Sequence, residues 1–458
     1  MSRRQILHRR VRRTPPLVAA VAALTLGAGV ALVAVGGSSA GTPPTDLARG
    51  AVYCTSSTGC YTPQQFEVAY GVQPLLQRGI DGRGETVVLP ELAESELSPE
   101  VSNLRKDFVA FDHLFDLPAP VLKVVSTYAG PSNPWLAYGE EVLDAEVVHA
   151  IAPGAALTIL LVRGTSLDSV NQAVAASVAA LRMGASTGNI ISISAAGQIG
   201  GEHCVSPAQL TQLNAALRLD ASRHVTVVAA SGDTGAAGEP CALIDALNGG
   251  IRANFVPRRE SILVASDPLV LSVGGTTLDA SHTNGAWIDE TTWGLPDGSP
   301  GTGFQSSGGG FSHLFSRPSY QAGVHGIGVA RGVPDVAADA NPNTGFPLVT
   351  SSGAGSDNIG VHGGTSESAP IWAGIIALAD QYSKRHLGFV NPVIYQIAQS
   401  SHYHDAFHDV VTGPPNTGKF PHGTITGYRA GSGWDPVTGW GSPNASVLVP
   451  LIARYESQ

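Results

Sequence analysis

A short segment near the C-terminal end carries the clearest catalytic pattern of the chain: residues 363–370 read Gly-Gly-Thr-Ser-Glu-Ser-Ala-Pro. The glycines allow a tight turn, and the apolar residues that follow predict a helix over 366–384. Ser366 would stand at its N-terminus, where free N–H groups and the helix dipole favour negative charge. We expect Pro370 to lie in the first helical turn, where a missing N–H costs little. The pattern indicates a nucleophilic serine; the alternative is an ordinary N-capped core helix.

A nucleophilic serine needs a base, and carboxylates are better candidates here than histidines. Three His-Gly pairs, at His325, His362 and His422, lie in glycine-rich sequence, and we interpret all three as surface histidines. Apolar residues at 143, 147, 148 and 151 have a helical period. Glu140 and Asp144 are four residues apart and therefore stack on one face of that predicted helix. An ordinary surface helix remains the alternative for this pair.

Three motifs in order resemble the sedolisins, the serine-carboxyl peptidases of the subtilisin clan. Glu-x-x-x-Asp at 140–144 precedes Ala-Pro-Gly-Ala at 152–155, and Gly-Gly-Thr-Ser follows at 363–366. Between them, an apolar strand over 225–230 runs into Ser-Gly-Asp-Thr-Gly at 231–235. Further similar stretches lie at 61–71, 273–277, 308–321 and 332–339. The resemblance therefore runs from about residue 60 to the C-terminus.

The resemblance implies catalytic roles for Ser366, Glu140, Asp144 and Asp233, and the chemistry of these residue types agrees. Glu140 would accept the proton of Ser366, and Asp144 would orient Glu140; such a pair titrates together. Asp233 beside a developing oxyanion is useful only when protonated, because a carboxylate would repel that charge. A site of this kind works in acid, where an imidazole base would be charged. The resemblance also gives Glu91 a place behind the base.

The sequence thus predicts an exported serine-carboxyl endopeptidase that cleaves peptides and proteins in acid. The alternative is a catalytically weak secreted relative, a binding or scaffold protein that keeps the fold. The formal net charge of −10 argues against nucleic acid and anionic membranes as partners, and we expect a monomer.

A calcium site is implied by the same resemblance. The matching positions would supply the side chains of Asp409 and Asp435 and the carbonyls of Val410, Gly431 and Gly433. All-oxygen ligation suits a hard cation such as Ca²⁺. Two alternatives remain open at this stage: a glycine-rich loop without an ion, and a zinc site built from the nearby histidines, which are His402, His404 and His408.

The N-terminal sequence is typical of an export signal. Six arginines precede an almost wholly apolar run over 17–36, and small residues then make cleavage after Ala40 plausible. If it is not cleaved, the run is long enough to anchor the chain in a membrane. We therefore divide the chain into an export signal (1–40), a short segment (41–60) and a peptidase domain (61–458).

Four cysteines in an exported chain suggest two disulfides. Three connectivities are possible, and proximity in sequence favours Cys54–Cys60 with Cys204–Cys241.

Two departures from the sedolisin pattern stand out. Only about 20 residues separate Ala40 from the Tyr61 motif, so we expect the family's large prodomain to be absent. Ala195-Ala196-Gly197 stands where the family usually has Ser-Trp-Gly, which puts catalytic strength and specificity in question more than identity.

Continuous apolar strands, such as Ile190–Ile193 and residues 225–230, alternate with helices along the chain. Strands of this kind are buried on both faces. We therefore expect an α/β, subtilisin-like fold: a mainly parallel central sheet with helices on both faces.

Overall fold

The computed structural model describes residues 53–55, 57–93, 102–126, 136–137, 139–163, 170–194, 199–239, 241, 258–294, 306–351, 357–420 and 423–455. The predicted export signal and the Ala195-Ala196-Gly197 segment lie outside these described residues. None of the helices in the described part of the chain is long and apolar enough to cross a membrane.

An eight-stranded sheet forms the centre of the fold. Its strands are β1 (Thr86–Ala93), β3 (Val121–Ser126), β5 (Ala156–Arg163), β6 (Ile190–Ile193), β7 (Thr226–Ala230), β8 (Leu271–Ala280), β9 (Trp287–Thr292) and β12 (Val336–Asp339). Their order is β12-β8-β7-β6-β1-β5-β3, and β9 pairs with β8 off this path. Every pairing is parallel except β8 with β9.

Among the described residues, ten further strands pair two by two outside this sheet, all antiparallel. The pairs are β2 (Ser102–Asn103) with β4 (Leu136–Ala137), β10 (Gly310–Ser316) with β11 (Ala330–Val333), β13 (Pro347–Ser351) with β14 (Asp357–Val361), β15 (Phe407–His408) with β18 (Ser442–Pro443), and β16 (Gly418–Phe420) with β17 (Gly423–Ile425).

The α-helices of the described residues cover the sheet and its ends. They are α1 (Pro63–Ala69), α2 (Gln73–Leu76), α3 (Leu104–Phe115), α4 (Gly139–Ile151), α5 (Val170–Thr187), α6 (Pro207–Ser222), α7 (Thr365–Ser383), α8 (Asn391–Ala398), α9 (Tyr403–Ala406) and α10 (Ala445–Tyr455). Helix α7 packs on α4 and on the central strands, while α5 and α6 pack on each other and on the sheet.

Burial confirms the predicted fold class. All four residues of β6 and all five of β7 are buried, and successive side chains point to opposite faces, so both faces are covered there. Helix α7 is buried continuously from Thr365 to Asp380, which explains why its sequence is apolar on every side. The result is a doubly covered, mainly parallel sheet whose strands end at a common edge.

Candidate active site

The predicted nucleophile lies at the start of α7. Ser366 is the second residue of that helix and is buried. The residue before the helix, Gly364, has φ +88°, and a Cβ there would lie 2.7 Å from Oδ2 of Asp233. Glycine is therefore required at this turn for its conformation and for space. The close approach brings the Asp233 carboxyl against the backbone that carries Ser366.

Asp233 follows β7 and binds the residue next to the nucleophile. Its Oδ1 accepts hydrogen bonds of 2.8 Å from both the backbone N–H and the hydroxyl of Thr365. The hydroxyl oxygen of Thr365 in turn accepts from the N–H of Gly232 at 3.1 Å. Burial raises the pKa of Asp233, while the two Thr365 hydrogen bonds oppose that rise. The predicted oxyanion residue thus lies beside Ser366 in an environment that favours a neutral acid.

The predicted carboxylate pair is on α4. Glu140 is in its first turn, and Asp144, one turn later, is 1% exposed. Burial raises the pKa of Asp144 well above its usual value, and the Glu140 charge adds to the rise. Glu91, near the end of β1, is also buried, and burial followed by the Asp144 charge raises its pKa. Glu91 therefore lies close enough to the pair to interact with its charge, and its role behind the base stays a prediction.

Glu239 is a further acid of this site that the sequence reasoning missed. Its Oε1 accepts the backbone N–H of Asp233 at 3.2 Å. Burial raises its pKa to about 8, with the charges of Asp233 and Glu140 adding to the rise. Glu239 is therefore close enough to interact electrostatically with both Asp233 and Glu140. The only available signal was its position, six residues after Asp233 in the same turn-rich segment.

A serine at the end of β6 lies near both Ser366 on α7 and Asp144 on α4. Ser194, directly after β6, donates its hydroxyl to the backbone carbonyl of Ser366 at 3.2 Å. Ser194 also lies within reach of the Asp144 carboxyl. Glu91, Ser194 and Asp233 all lie at the carboxyl ends of neighbouring parallel strands, the edge where open α/β sheets place their sites.

Two local predictions are wrong. Pro370 is the sixth residue of α7, not part of its first turn, because the helix begins at Thr365. His362 is buried, not a surface histidine, and burial lowers its pKa to about 4. His325 is exposed, as predicted, and His422 lies outside the described residues.

The two predicted disulfides are present. Cys54 bonds to Cys60, and Cys204 bonds to Cys241. The second joins a short helical turn to the segment just after Glu239, so it restrains the chain that follows Asp233.

The residues predicted to hold calcium are brought together. The N–H of Gly433 donates to both oxygens of Asp409 at 3.1 and 3.2 Å, and the N–H of Gly431 donates to Asp435 at 3.3 Å. The charges of the Asp409 and Asp435 carboxyls both raise the pKa of the Tyr403 hydroxyl, so both lie near it. Among the described residues, no Lys or Arg pairs with either carboxyl. Two neighbouring acids without a basic partner fit a cation.

His402, His404 and His408 do not form a metal-sized group within the described residues, so the zinc alternative has no support. The His408 ring stacks on Trp287 with centroids 4.2 Å apart, and the His404 ring lies against Tyr403. Within the described part of the chain, the only metal-sized group of His, Cys, Asp or Glu residues is His203 with Cys204 and Cys241, and these cysteines are disulfide-bonded.

Several known proteins are similar to this chain, although no protein-family model matches it. Kumamolisin from Bacillus sp. (strain MN-32) is 33% identical over 410 residues, which are 87% of this chain and 64% of kumamolisin. Tripeptidyl-peptidase SED1 from Arthroderma otae is 33% identical over 265 residues, 50% of this chain and 36% of that protein. The solved structure of Pseudomonas sedolisin, a serine-carboxyl proteinase complexed with two molecules of pseudo-iodotyrostatin, is 24% identical. It has a TM-score of 0.66 and covers 85% of this chain and 97% of its own. The chain spans less than two thirds of the length of these two curated relatives.

Proposed function

Because the chain belongs to the sedolisin family of serine-carboxyl peptidases, we propose that it is a serine-type peptidase acting on peptides or proteins in acid. One observation carries the proposal: buried acidic groups surround the start of α7, where Ser366 lies. Asp233 binds the neighbouring Thr365, and Glu140 acts electrostatically on both Asp144 and Glu239. In acid, carboxyls can accept and donate protons for a serine hydroxyl, whereas an imidazole would be charged.

The proposed first step is attack of the Ser366 hydroxyl on the peptide carbonyl. Glu140, as the carboxylate, accepts the hydroxyl proton and later returns it to the leaving amine. Asp144 orients Glu140 and shares its charge, because two acids so close do not both ionise readily. Water then hydrolyses the acyl-enzyme with Glu140 again as the base. The position of Ser366 at a helix N-terminus adds the helix dipole to the stabilisation of negative charge.

Asp233 supplies the hydrogen bond to the oxyanion in this mechanism. It does so only as a neutral acid, and its raised pKa extends the pH range in which it stays protonated. The mechanism therefore needs a pH at which Asp233 is protonated and the Glu140–Asp144 pair has lost one proton. We place that window below neutral pH, because carboxyl groups ordinarily titrate near pH 4.

We take the peptidase to cut within chains, as an endopeptidase. The competing activity is release of N-terminal tripeptides, which the name of the Arthroderma relative gives to that protein. The two differ in their products, so one assay separates them.

Cleavage of an unfolded protein by the full chain at pH 3 to 8 tests the proposal. The wild type should cut most rapidly in acid, and Ser366→Ala should lose activity at every pH while melting normally. Mass spectrometry should find internal cuts; tripeptides alone would make the enzyme an exopeptidase. A folded wild type without Ser366-dependent cleavage would instead favour a binding or scaffold protein.

We also propose that Asp409 and Asp435, with the carbonyls of Val410, Gly431 and Gly433, hold one Ca²⁺. The ion would neutralise the two carboxyls and fix the C-terminal loop, so its role is structural. Export of the chain through its N-terminal 40 residues is part of the same proposal, supported by their composition alone.

A further inference from the structure

The carbonyl of Ser366 has an unusual hydrogen-bond partner. In a regular helix it would accept the N–H of residue 370, four positions later. Residue 370 is proline, which has no N–H, so this bond cannot form. The Ser194 hydroxyl donates to the carbonyl instead, at 3.2 Å. Both serines are buried, so solvent does not readily replace that donor.

A second acceptor, the Asp144 carboxyl, lies near the same hydroxyl. Both oxygens of Asp144 are buried, and neither forms a hydrogen bond of regular geometry with the residues that the structure describes. The Ser194 hydroxyl is nevertheless close enough to Asp144 to favour its ionised form. A serine hydroxyl has one proton, so it cannot donate to the Ser366 carbonyl and to an Asp144 carboxylate at once.

From this competition we propose that Ser194 is a positioning residue that links the protonation of Asp144 to the helical turn carrying Ser366. The inference rests on the proposed function. While Asp144 is protonated, Ser194 donates to the Ser366 carbonyl and supports the nucleophile's backbone. When Asp144 ionises, the Ser194 proton turns to the carboxylate, because hydrogen bonds to charged groups are the stronger ones. The nucleophile turn is then released from Ser194.

The titratable groups around Asp144 lie on its own helix and on the elements packed against it. The charges of Glu140 and Glu141 on α4 raise the pKa of Asp144, whereas a hydrogen bond from Glu91 on β1 lowers it, as Ser194 does. The helices packed on α4 also carry buried acids, which are Glu367 on α7, Glu67 on α1 and Asp107 on α3. Of these packed elements, β6 alone provides a hydroxyl close to both Asp144 and Ser366.

Two single variants should move the acid limb of the kcat/KM profile in opposite directions. Ser194→Ala removes the donor to Asp144, so the limb should move to higher pH by roughly 0.5 unit. Pro370→Ala gives the Ser366 carbonyl its own helical N–H and frees the Ser194 proton for Asp144. Its limb should move to lower pH by a similar amount. Ser194→Ala should also lower kcat roughly fivefold to tenfold, with KM nearly unchanged.

In the double variant Ser194→Ala with Pro370→Ala, kcat should recover to within about twofold of the Pro370→Ala value. The acid limb of its kcat/KM profile should stay at the pH found for Ser194→Ala. Ser192→Ala is the matched control, because this serine lies on β6 two residues before Ser194, is also buried, and its hydroxyl has no hydrogen-bond partner among the described residues. It should leave both limb and kcat unchanged. Single variants that shift the limb in the same direction, or a double variant no faster than Ser194→Ala, would overturn the proposal.

A melting experiment tests the contact without any assay of activity. Ser194→Ala leaves the buried Ser366 carbonyl unpaired when residue 370 is the native proline, and it should lower the melting temperature by about 2 °C. In the Pro370→Ala background the loss should nearly vanish. An equal loss in both backgrounds would refute the contact. An inactive wild type would refute the proposed function, and the melting cycle would still decide whether Ser194 supports Ser366.

Discussion

Asp233 has backbone and side-chain contacts that hold it beside the start of α7, where Ser366 lies. Thr365 donates twice to one of its oxygens, which leaves Oδ2 near Gly364. The N–H of Asp233 itself binds Glu239, a second buried acid whose pKa burial raises to about 8. Because a neutral Glu239 adds no negative charge, it does not oppose ionisation of the neighbouring acids in the acid range. Around Ser366, the pKa values of several interacting buried acids are thus raised together.

Glu140→Gln should abolish turnover at every pH, because the amide cannot accept the Ser366 proton. We expect a fall of at least a thousandfold in kcat with a melting temperature close to that of the wild type. Asp220→Asn is the control: Asp220 is a buried acid with a pKa of about 7, but it precedes β7 at the opposite end from Asp233. Single-turnover rates at pH 3 to 8 make the comparison. Equal losses in the two variants would mean that Glu140 is not the base.

At the scale of elements, one turn and one helix pair build the site. The Gly364 turn lets α7 start against Asp233, and α4 packs along α7 so that its acids reach the same end of the sheet. Strand order then adds Glu91 and Ser194 from β1 and β6, which are neighbours in the sheet. Elements far apart in sequence thus meet at one edge.

Gly364→Ala should damage this turn for two reasons. The residue has φ +88°, where a side chain is strained, and its Cβ would crowd the Asp233 carboxyl. We expect a loss of about 1–3 kcal/mol in the free energy of unfolding and at least a tenfold fall in kcat. Gly328→Ala is the matched control, because a Cβ there meets no atom within 4 Å. Denaturant unfolding and kinetics together measure both effects; similar results for the two variants would contradict the close approach.

The C-terminal loop is the element that calcium should stabilise. Chelation should lower the melting temperature, because an ion that binds only the native state stabilises it by mass action. Asp435→Asn should cause the same loss and remove the response to added Ca²⁺, whereas Asp405→Asn, an exposed neighbour, should behave like the wild type. Calorimetry with and without chelator decides the matter. An unchanged melting temperature would exclude a structural calcium ion.

Much of this arrangement follows from local sequence. Ser366, Glu140, Asp144 and Asp233 lie in motifs whose glycines and periodicity are local, so their elements could be predicted. Ser194 and Glu239 could not, because their contacts depend on which strands are neighbours and on how a loop folds back.

Local rules also fail where tertiary packing decides. Pro370 was predicted in the first turn, yet the Gly364 turn starts the helix early and places it at the sixth position. His362 was predicted at the surface, yet the backbone around it is paired with Phe346 and buries the ring.

Across the described part of the chain, many acids are buried. Burial raises the pKa of several of them, to about 7 for Glu67 and Asp380 and about 8 for Asp339. In the unfolded chain these acids titrate near pH 4. The folded state therefore holds these protons to a higher pH than the unfolded chain does, and it is more stable in acid.

The free energy of unfolding should accordingly fall as the pH rises from about 5 to 8. Over this range the unfolded chain releases protons that the folded state still holds, so ionisation favours unfolding. A group shifted from pKa 4.5 to about 7, such as Glu67, costs on the order of 3 kcal/mol once the pH exceeds the folded pKa. Denaturant unfolding at each pH should show the decline, and Glu67→Gln should make it shallower. Stability that rises towards pH 8 would contradict the raised pKa values.

The pH dependence of kcat/KM for the wild type and Asp233→Asn tests the proposed carboxyl mechanism. This mechanism predicts a wild-type maximum in acid, with the rate falling on the alkaline side as Asp233 ionises and on the acid side as the Glu140–Asp144 pair takes its second proton. Asp233→Asn keeps a neutral donor whose protonation no longer matters, so its rate should be lower but its alkaline limb should extend towards neutral pH. A wild-type maximum near pH 8, with the same alkaline limb in Asp233→Asn, would contradict the carboxyl mechanism.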